Sequence, residues 1–324
     1  MEIMEHSAVL QDGKYRLKLP FKKRDVSLPN NLAVVKQRMQ GLRKRFTNNE
    51  NLHQEYAEYV NGLITNIYAE PVPQQKLQGE PGRVWYIPHH AVHHPRKGTL
   101  RVVFDCAATF QGASLNKELL QGPNLTSSLL GVLLRFREGP VAFMGDIKAM
   151  FHQVKVAEED RDFLRFLWWP NGDITQDLME YRMTVHLFGA ASSPSCASYA
   201  LRKSADDHQS EFAAGVCQAV KQNFYVDDCL KSSATEREAV QMIQDLTALC
   251  QKGGFSLEKW ISNRRAVLHA IAAERRAKDF KELDLDRDKL PAERALGLLW
   301  CVETDSFRFR IELKQQSLTR RGML

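Results

Sequence analysis

The sequence predicts an α+β protein, with an antiparallel sheet backed by helices. Three observations carry this expectation. From Asn31 to about Ile67, apolar residues return at helical spacing, with Leu32, Val35, Met39 and Leu42 three and four apart. Elsewhere, short runs such as LRVVF (100–104) and FLRFLWW (163–169) are rich in β-branched and aromatic residues. NFYVDDCLKSS (223–233) reads as a strand hairpin that turns at its two aspartates.

Taken in order, residues 1–30 read as irregular, punctuated by Pro20 and Pro29. After the helical stretch, Pro71 and Pro73 break the chain and QQKLQGEPG (74–82) reads as a loop. VWYIPHHAV (84–92) and LRVVF read as strands joined by a turn at Lys97-Gly98. Pro123 opens a helix over Leu125–Arg137, and Gly139-Pro140 ends it. VAFMGDIKAMF (141–151) starts as a buried strand and ends as the start of a helix. FLRFLWW is closed by a Pro170-Asn171-Gly172 turn, and a further helix begins near Ser192-Ser193-Pro194, where proline suits the first turn. Thr235 and Glu238 form a capping-box pattern ahead of an apolar stripe of Ala239, Ile243, Leu246 and Cys250, which Gly253-Gly254 stops.

The 324 residues have a normal globular balance, 44% hydrophobic and 26% charged, with a net charge of +6. Eleven Lys or Arg fall in residues 1–45 against four acids, a local balance of +7, so the rest is close to neutral. A basic segment beside a neutral body suits a polyanionic partner, although a solvated helix face gives the same pattern. The six cysteines include no CxxC pair, which argues against a zinc ribbon and fits reduced thiols in a cytoplasmic setting. No apolar run reaches the length of a membrane helix, and the N-terminus lacks the signal-peptide pattern. The last residues, QQSLTRRGML, carry no terminating motif, so a truncated reading frame is expected.

Two acidic positions stand out. Asp146 closes an apolar strand, and Asp227-Asp228 follow Tyr225-Val226 in the predicted hairpin, 81 positions later. A lone Asp-Asp pair is ordinarily a turn or a cap. In an apolar strand context, adjacent carboxylates are costly to bury, and a divalent cation removes that cost. Three carboxylates make an all-oxygen site that suits Mg²⁺ or Mn²⁺.

YVDD (225–228) with the upstream Asp146 and Phe151 resembles the active site of reverse transcriptases. The wider set is similar to the BEL/Pao group of long-terminal-repeat retrotransposons. It comprises YIPHHAV (86–92), LRVVFDCAATFQGASLNKELLQGPNL (100–125), LLRFREGPVAFMGDIKAMFHQVKV (133–156), LRFLWW (164–169), FGAASSP (188–194), GGFSLEKWISN (253–263), LGLLW (296–300) and LTRRGML (318–324). The resemblance runs from about Tyr15 to the last residue.

The resemblance implies a right-hand polymerase: a basic N-terminal segment leading into fingers (1–78), fingers and palm (79–265), and the start of a thumb or connection (266–324). It implies RNA- and DNA-directed DNA synthesis from dNTPs on an RNA or DNA template–primer, with other parts of a Gag-Pol polyprotein as neighbours. Asp146 and Asp227 would hold two metals, supported by Asp228 and by the Ile147 carbonyl. Lys97 and Arg101 would grip the triphosphate, with Asp105 orienting Arg101. Phe151 would collide with a 2′-hydroxyl and so select dNTPs. Lys259 would be a general acid toward the leaving group, or a partner of Glu258. Phe188 and Gly189 would border the nucleotide, although classical retroviral enzymes carry Gln where this chain has Phe188. Tyr225, Ser193 and Pro194 would face nucleic acid.

His89, His90, His93 and His94 form HHxxHH, for which strand alternation argues against a shared zinc ion. Trp85 and Tyr86 beside them suit either base stacking or core packing. Two other classes stand as rivals: a catalytically inactive nucleic-acid-binding remnant of the same element, and another palm-fold enzyme such as a nucleotide cyclase.

Overall fold

The computed structural model describes residues 1–93 and 100–309. The expected Lys97-Gly98 turn, His94 and the LTRRGML segment therefore lie outside the described residues. The chain opens with helix α1 (Glu2–Ser7), strands β1 (Val9–Gln11) and β2 (Lys14–Leu17), helices α2 (Leu32–Thr47) and α3 (Glu50–Thr65), and strand β3 (Ala69–Pro71). Strands β4 (His89–His93) and β5 (Leu100–Phe104) follow, then helices α4 (Leu115–Glu118) and α5 (Leu129–Phe136). Next come strands β6 (Val141–Ile147), β7 (Lys155–Val156), β8 (Arg165–Trp168) and β9 (Met179–Met183), and helices α6 (Ser193–Asp207) and α7 (Ala214–Gln222). The rest is β10 (Phe224–Tyr225), β11 (Asp228–Ser233), α8 (Glu236–Lys252), β12 (Leu257–Ser262), α9 (Arg265–His269), α10 (Lys278–Lys281) and the strands β13 (Ala292–Ala295), β14 (Leu298–Cys301) and β15 (Ser306–Arg308).

The mixed class is as the sequence predicts, and most of the pairing is antiparallel: β1 with β2, β4 with β5, β9 with β3 and β8, and β14 with β13 and β15. Strand β2 pairs with β7 in parallel. The expected single helical stretch 31–67 is two helices. The chain breaks at Asn48-Asn49, where the Asn49 side chain accepts from the Leu52 N–H and caps α3. The helix expected from Leu125 starts at Leu129 instead, with Ser128 accepting from the Gly131 N–H as its cap.

The chain forms two compact units, each discontinuous in sequence. The first comprises Met1–Thr126, Ile147–Lys221 and Leu246–Ser256; the second comprises Ser127–Asp146, Gln222–Asp245 and Leu257–Leu324. The first has an aromatic core in which Tyr56 stacks on Trp168 at 5.5 Å and Phe46 meets Trp169 edge-on. His89 belongs to this core, its ring held at both nitrogens by the Tyr56 hydroxyl (2.5 Å) and the Leu167 carbonyl (2.9 Å), and burial lowers its pKa to about 4. Trp85 and Tyr86 are buried with it, so they are core residues rather than base-stacking surfaces. His90 points to solvent.

In the second unit the strand order is β10-β11-β6-β12. VAFMGDI in β6 is buried along almost its whole length, as an apolar run without alternation requires when both faces are covered. Val132 and Phe136 of α5 cover one face with Ala142, Met144, Leu230 and Trp300. On the other face Gly145 lies against the Trp260 ring, where an added Cβ would come within 2.7 Å of the indole. All six cysteines are free thiols.

Candidate active site

The carboxylates are assembled by strand register. Strands β6 and β11 run antiparallel, and the register that sets Leu230 against Met144 sets Asp228 directly opposite Asp146. Strands β10 and β11 form a hairpin in which Tyr225 pairs with Asp228, so Val226 and Asp227 are its two-residue turn. Val226 takes a left-handed conformation (φ 57°), which a β-branched residue rarely adopts. All three acidic residues are half-buried.

Like charges facing each other across a ladder destabilise it unless something offsets them. Burial, and then the neighbouring Asp227 and Asp146 charges, push the Asp228 carboxyl up to about 7. Burial and the Asp146 charge also raise Asp227, against a backbone N–H that favours its ionised form. Lys259 brings an opposite charge: its Nζ donates to Asp146 Oδ2 at 2.7 Å. Burial works against the lysine's charge, but the Asp146 hydrogen bond and charge outweigh it and raise the ammonium's pKa. Lys259 itself has φ 57°, a left-handed break within β12. The sequence left Glu258 as a partner for Lys259; the structure gives it Asp146.

The donor set suits a hard divalent ion: three half-buried carboxylates on one hairpin and its neighbouring strand, with only one ammonium, that of Lys259, set against them. Among the described residues, however, no three Asp, Glu, His or Cys side chains stand as a formed metal-ligand group. The Lys259 contact accounts for one Asp146 oxygen. Ile147 is buried at the end of β6.

Tyr225 is half-buried against the apolar cluster of the second unit.

The other expected site residues belong to the first unit. Phe151 sits in a tight turn after Ala149, which is left-handed at φ 46°. Its ring is only 6% exposed, and Phe188 packs on it at 4.3 Å while remaining 58% exposed. Gly189 has φ 107° and lies so close to the Phe104 carbonyl that a Cβ would be 2.3 Å from the oxygen. Arg101 is exposed on β5, but Asp105 does not orient it. The Asp105 carboxylate accepts from the Ala107 N–H and faces Arg38 at 3.9 Å. Pro194 is exposed in the first turn of α6, whereas Ser193 is fully buried and its hydroxyl has no hydrogen-bond partner. That hydroxyl is therefore turned away from any surface ligand, contrary to the sequence expectation. Lys97 lies outside the described residues.

Sequence reasoning missed Asn116. Its side chain donates to the Gly189 carbonyl (2.9 Å) and accepts from the Ala191 N–H (2.8 Å), clamping the turn that carries Phe188. The only sequence signal was an asparagine within GASLNKELL, which periodicity cannot single out.

No family model matches the chain, and no curated protein matches it. Among solved structures it is similar to the foamy viral protease–reverse transcriptase dRH in complex with double-stranded DNA, with a TM-score of 0.48 and 14% identity over 74% of this chain and 32% of that one. It is also similar to the native prototype foamy virus protease–reverse transcriptase, with a TM-score of 0.43 and 17% identity over 62% of this chain and 23% of that one. The chain thus spans a third or less of the length of either structure.

Proposed function

We propose that this chain is a template-dependent DNA polymerase of the reverse-transcriptase type, of the BEL/Pao group, in which Asp146, Asp227 and Asp228 hold two divalent ions. The observation that supports this most is the cross-strand pairing of Asp146 with Asp228, at a hairpin whose turn carries Asp227. Carboxylates raised by burial and by one another are tolerated where a cation is to be received.

In this reading the primer 3′-hydroxyl oxygen attacks the α-phosphorus of a dNTP, and pyrophosphate leaves with the electron pair of the broken P–O bond. Bound divalent ions would supply charge neutralisation at the transferring phosphoryl group and a lowered pKa for the hydroxyl. Lys259 releases Asp146 and offers its proton to the departing pyrophosphate. Lys97 and Arg101 take the triphosphate, Phe151 and Phe188 the sugar, and Gly189 lets backbone approach closely. Tyr225 and Pro194 face the nucleic acid. The fingers, palm and incomplete thumb assignments (1–78, 79–265, 266–324) and an origin in a Gag-Pol polyprotein belong to the same proposal.

Primer extension on RNA and DNA templates with Mg²⁺ or Mn²⁺ tests the reading. Asp227→Asn is expected to lower dNTP incorporation by roughly a thousandfold or more with folding unchanged. Wild-type synthesis by that variant sinks the carboxylate assignment.

A second reading draws on the Lys259–Asp146 ion pair and the lack of a formed ligand group among the described residues. It makes the chain a nucleic-acid binder without catalysis. Salt-sensitive binding with no incorporation under any metal supports it.

A further inference from the structure

The basic N-terminal segment lines a concave surface of the first unit. A cavity of about 430 Å³ opens between the Lys18–Val26 stretch and the segment around Phe163. Its rim carries Lys18, Lys22, Lys23, Arg24 and Arg83, and its wall carries Phe21.

The acids on this wall do not cancel that charge. Glu159 is paired with Lys18 at 2.9 Å. Asp160 is buried and accepts from the Leu19 N–H at 2.8 Å, and burial raises its pKa. Lys22 uses its ammonium on the Lys117 carbonyl, which leaves its charge unneutralised. Among the described residues Lys23 and Arg24 have no ion pair, and both are exposed. The surface therefore keeps a net positive charge along one short irregular stretch that bends over residues 22–25.

The aromatic component decides which polyanion fits. Phe21 is partly buried against the core and is braced by the buried Phe163 ring at 4.7 Å. Arg83 lies over the Phe163 ring at 5.3 Å. A braced, partly exposed ring flanked by the cations of Lys23 and Arg24 offers one stacking surface with phosphate partners beside it. A duplex has its bases already stacked and shows no base face to such a ring; an unpaired strand does.

We propose that this cavity binds single-stranded nucleic acid, with a base on Phe21 and the neighbouring phosphates on Lys22, Lys23 and Arg24. The proposal rests on the polymerase reading for its biological sense, and it names the unpaired strand as the form recognised here.

The test is fluorescence anisotropy of the full chain with a labelled twelve-nucleotide oligothymidylate and with a duplex of equal length, over a range of salt and without dNTPs or divalent ions. Phe21→Ala is expected to weaken single-strand binding on the order of tenfold. Because Phe21 also packs on Phe163, the surface double variant K23E/R24E provides the arm independent of folding. It is expected to flatten the dependence of log affinity on log salt by about 1.4, the effect of two lost phosphate contacts on a single strand. Photocrosslinking of a 5-iodouracil oligonucleotide should map to the 18–26 stretch or Arg83. Unchanged affinity and salt slope in K23E/R24E, or crosslinks only elsewhere, overturn the proposal. Equal loss of duplex and single-strand binding also overturns it, because the groove would then be a general anion patch. The two readings fail separately: loss of synthesis with these binding results intact counts only against the polymerase, and retained synthesis with an unchanged slope counts only against the groove.

Discussion

Asp228 faces Asp146 across the ladder beside Asp227, and its carboxyl sits near 7, raised from an ordinary 3.8 by burial and then by its two acidic neighbours. The folded chain therefore holds this proton through a pH range in which the unfolded chain has already lost it. Between about 4 and 7 the folded state binds more protons, so this residue's contribution to stability falls as pH rises. Above 7 the full cost of a buried, repelled charge is present; below about 4 it is absent. Asp228→Asn is accordingly expected to raise thermal stability at pH 8, by about 2 kcal/mol after allowance for solvent screening, and to change it little at pH 4. Melting curves at the two pH values decide it; an equal effect at both would mean that neither burial nor the acidic neighbours raise the Asp228 carboxyl in the folded chain. The three aspartates could be found from sequence because charge in an apolar strand context is anomalous on its face. The Lys259–Asp146 contact could not, because it depends on a left-handed break at Lys259 inside β12, a position that favours glycine and that the sequence gives no reason to expect.

The turn after β9 that carries Phe188 is fixed by backbone rather than by side-chain preference. Gly189 has φ 107°, and the Phe104 carbonyl occupies the space a Cβ would need. Asn116 then ties both sides of the turn. Gly189→Ala combines a strained conformation with a clash against backbone that cannot rotate away. An expected cost of about 2–3 kcal/mol, read from denaturant unfolding, follows. A loss below about 0.5 kcal/mol would mean that the turn has another conformation within easy reach. Element types were legible where periodicity was long or caps were strong: the Thr235–Glu238 pattern ahead of α8 is real, with the Glu238 N–H donating to the Thr235 hydroxyl at 3.2 Å. Boundaries were not legible where polar punctuation was subtle. The Asn48-Asn49 break between α2 and α3 shows in the apolar pattern only as one six-residue gap, from Phe46 to Leu52, between two runs of three-and-four spacing.

Two ion-paired arginines lie inside the first unit, and no sequence pattern announced them, because a charged residue in a strand reads as solvent-facing. Arg165 in β8 is fully buried; it donates to Asp162, Glu180 and the Lys76 and Leu77 carbonyls. Arg182 in β9 shares Asp162 and reaches Glu70 at 2.8 Å. Removing one member of such a network strands the remaining charges, so Arg165→Ala is expected to destabilise the chain by about 3–5 kcal/mol, measurable by denaturant unfolding. A loss under 1 kcal/mol would show that water replaces the guanidinium freely. At this scale the α+β class was legible in the sequence but the partition was not, because each unit is built from three separated stretches. The polypeptide passes from one to the other at residues 127, 147, 222, 246 and 257. That interleaving has a consequence for biosynthesis: as the nascent chain leaves the ribosome, the first unit cannot close until residues 246–256 have been made, and the second must wait for the stretch that starts at Leu257. Strand β6, the apolar centre of its sheet, must wait for β11 and then for β12, and so depends on late-arriving partners to keep it from sticking to other chains.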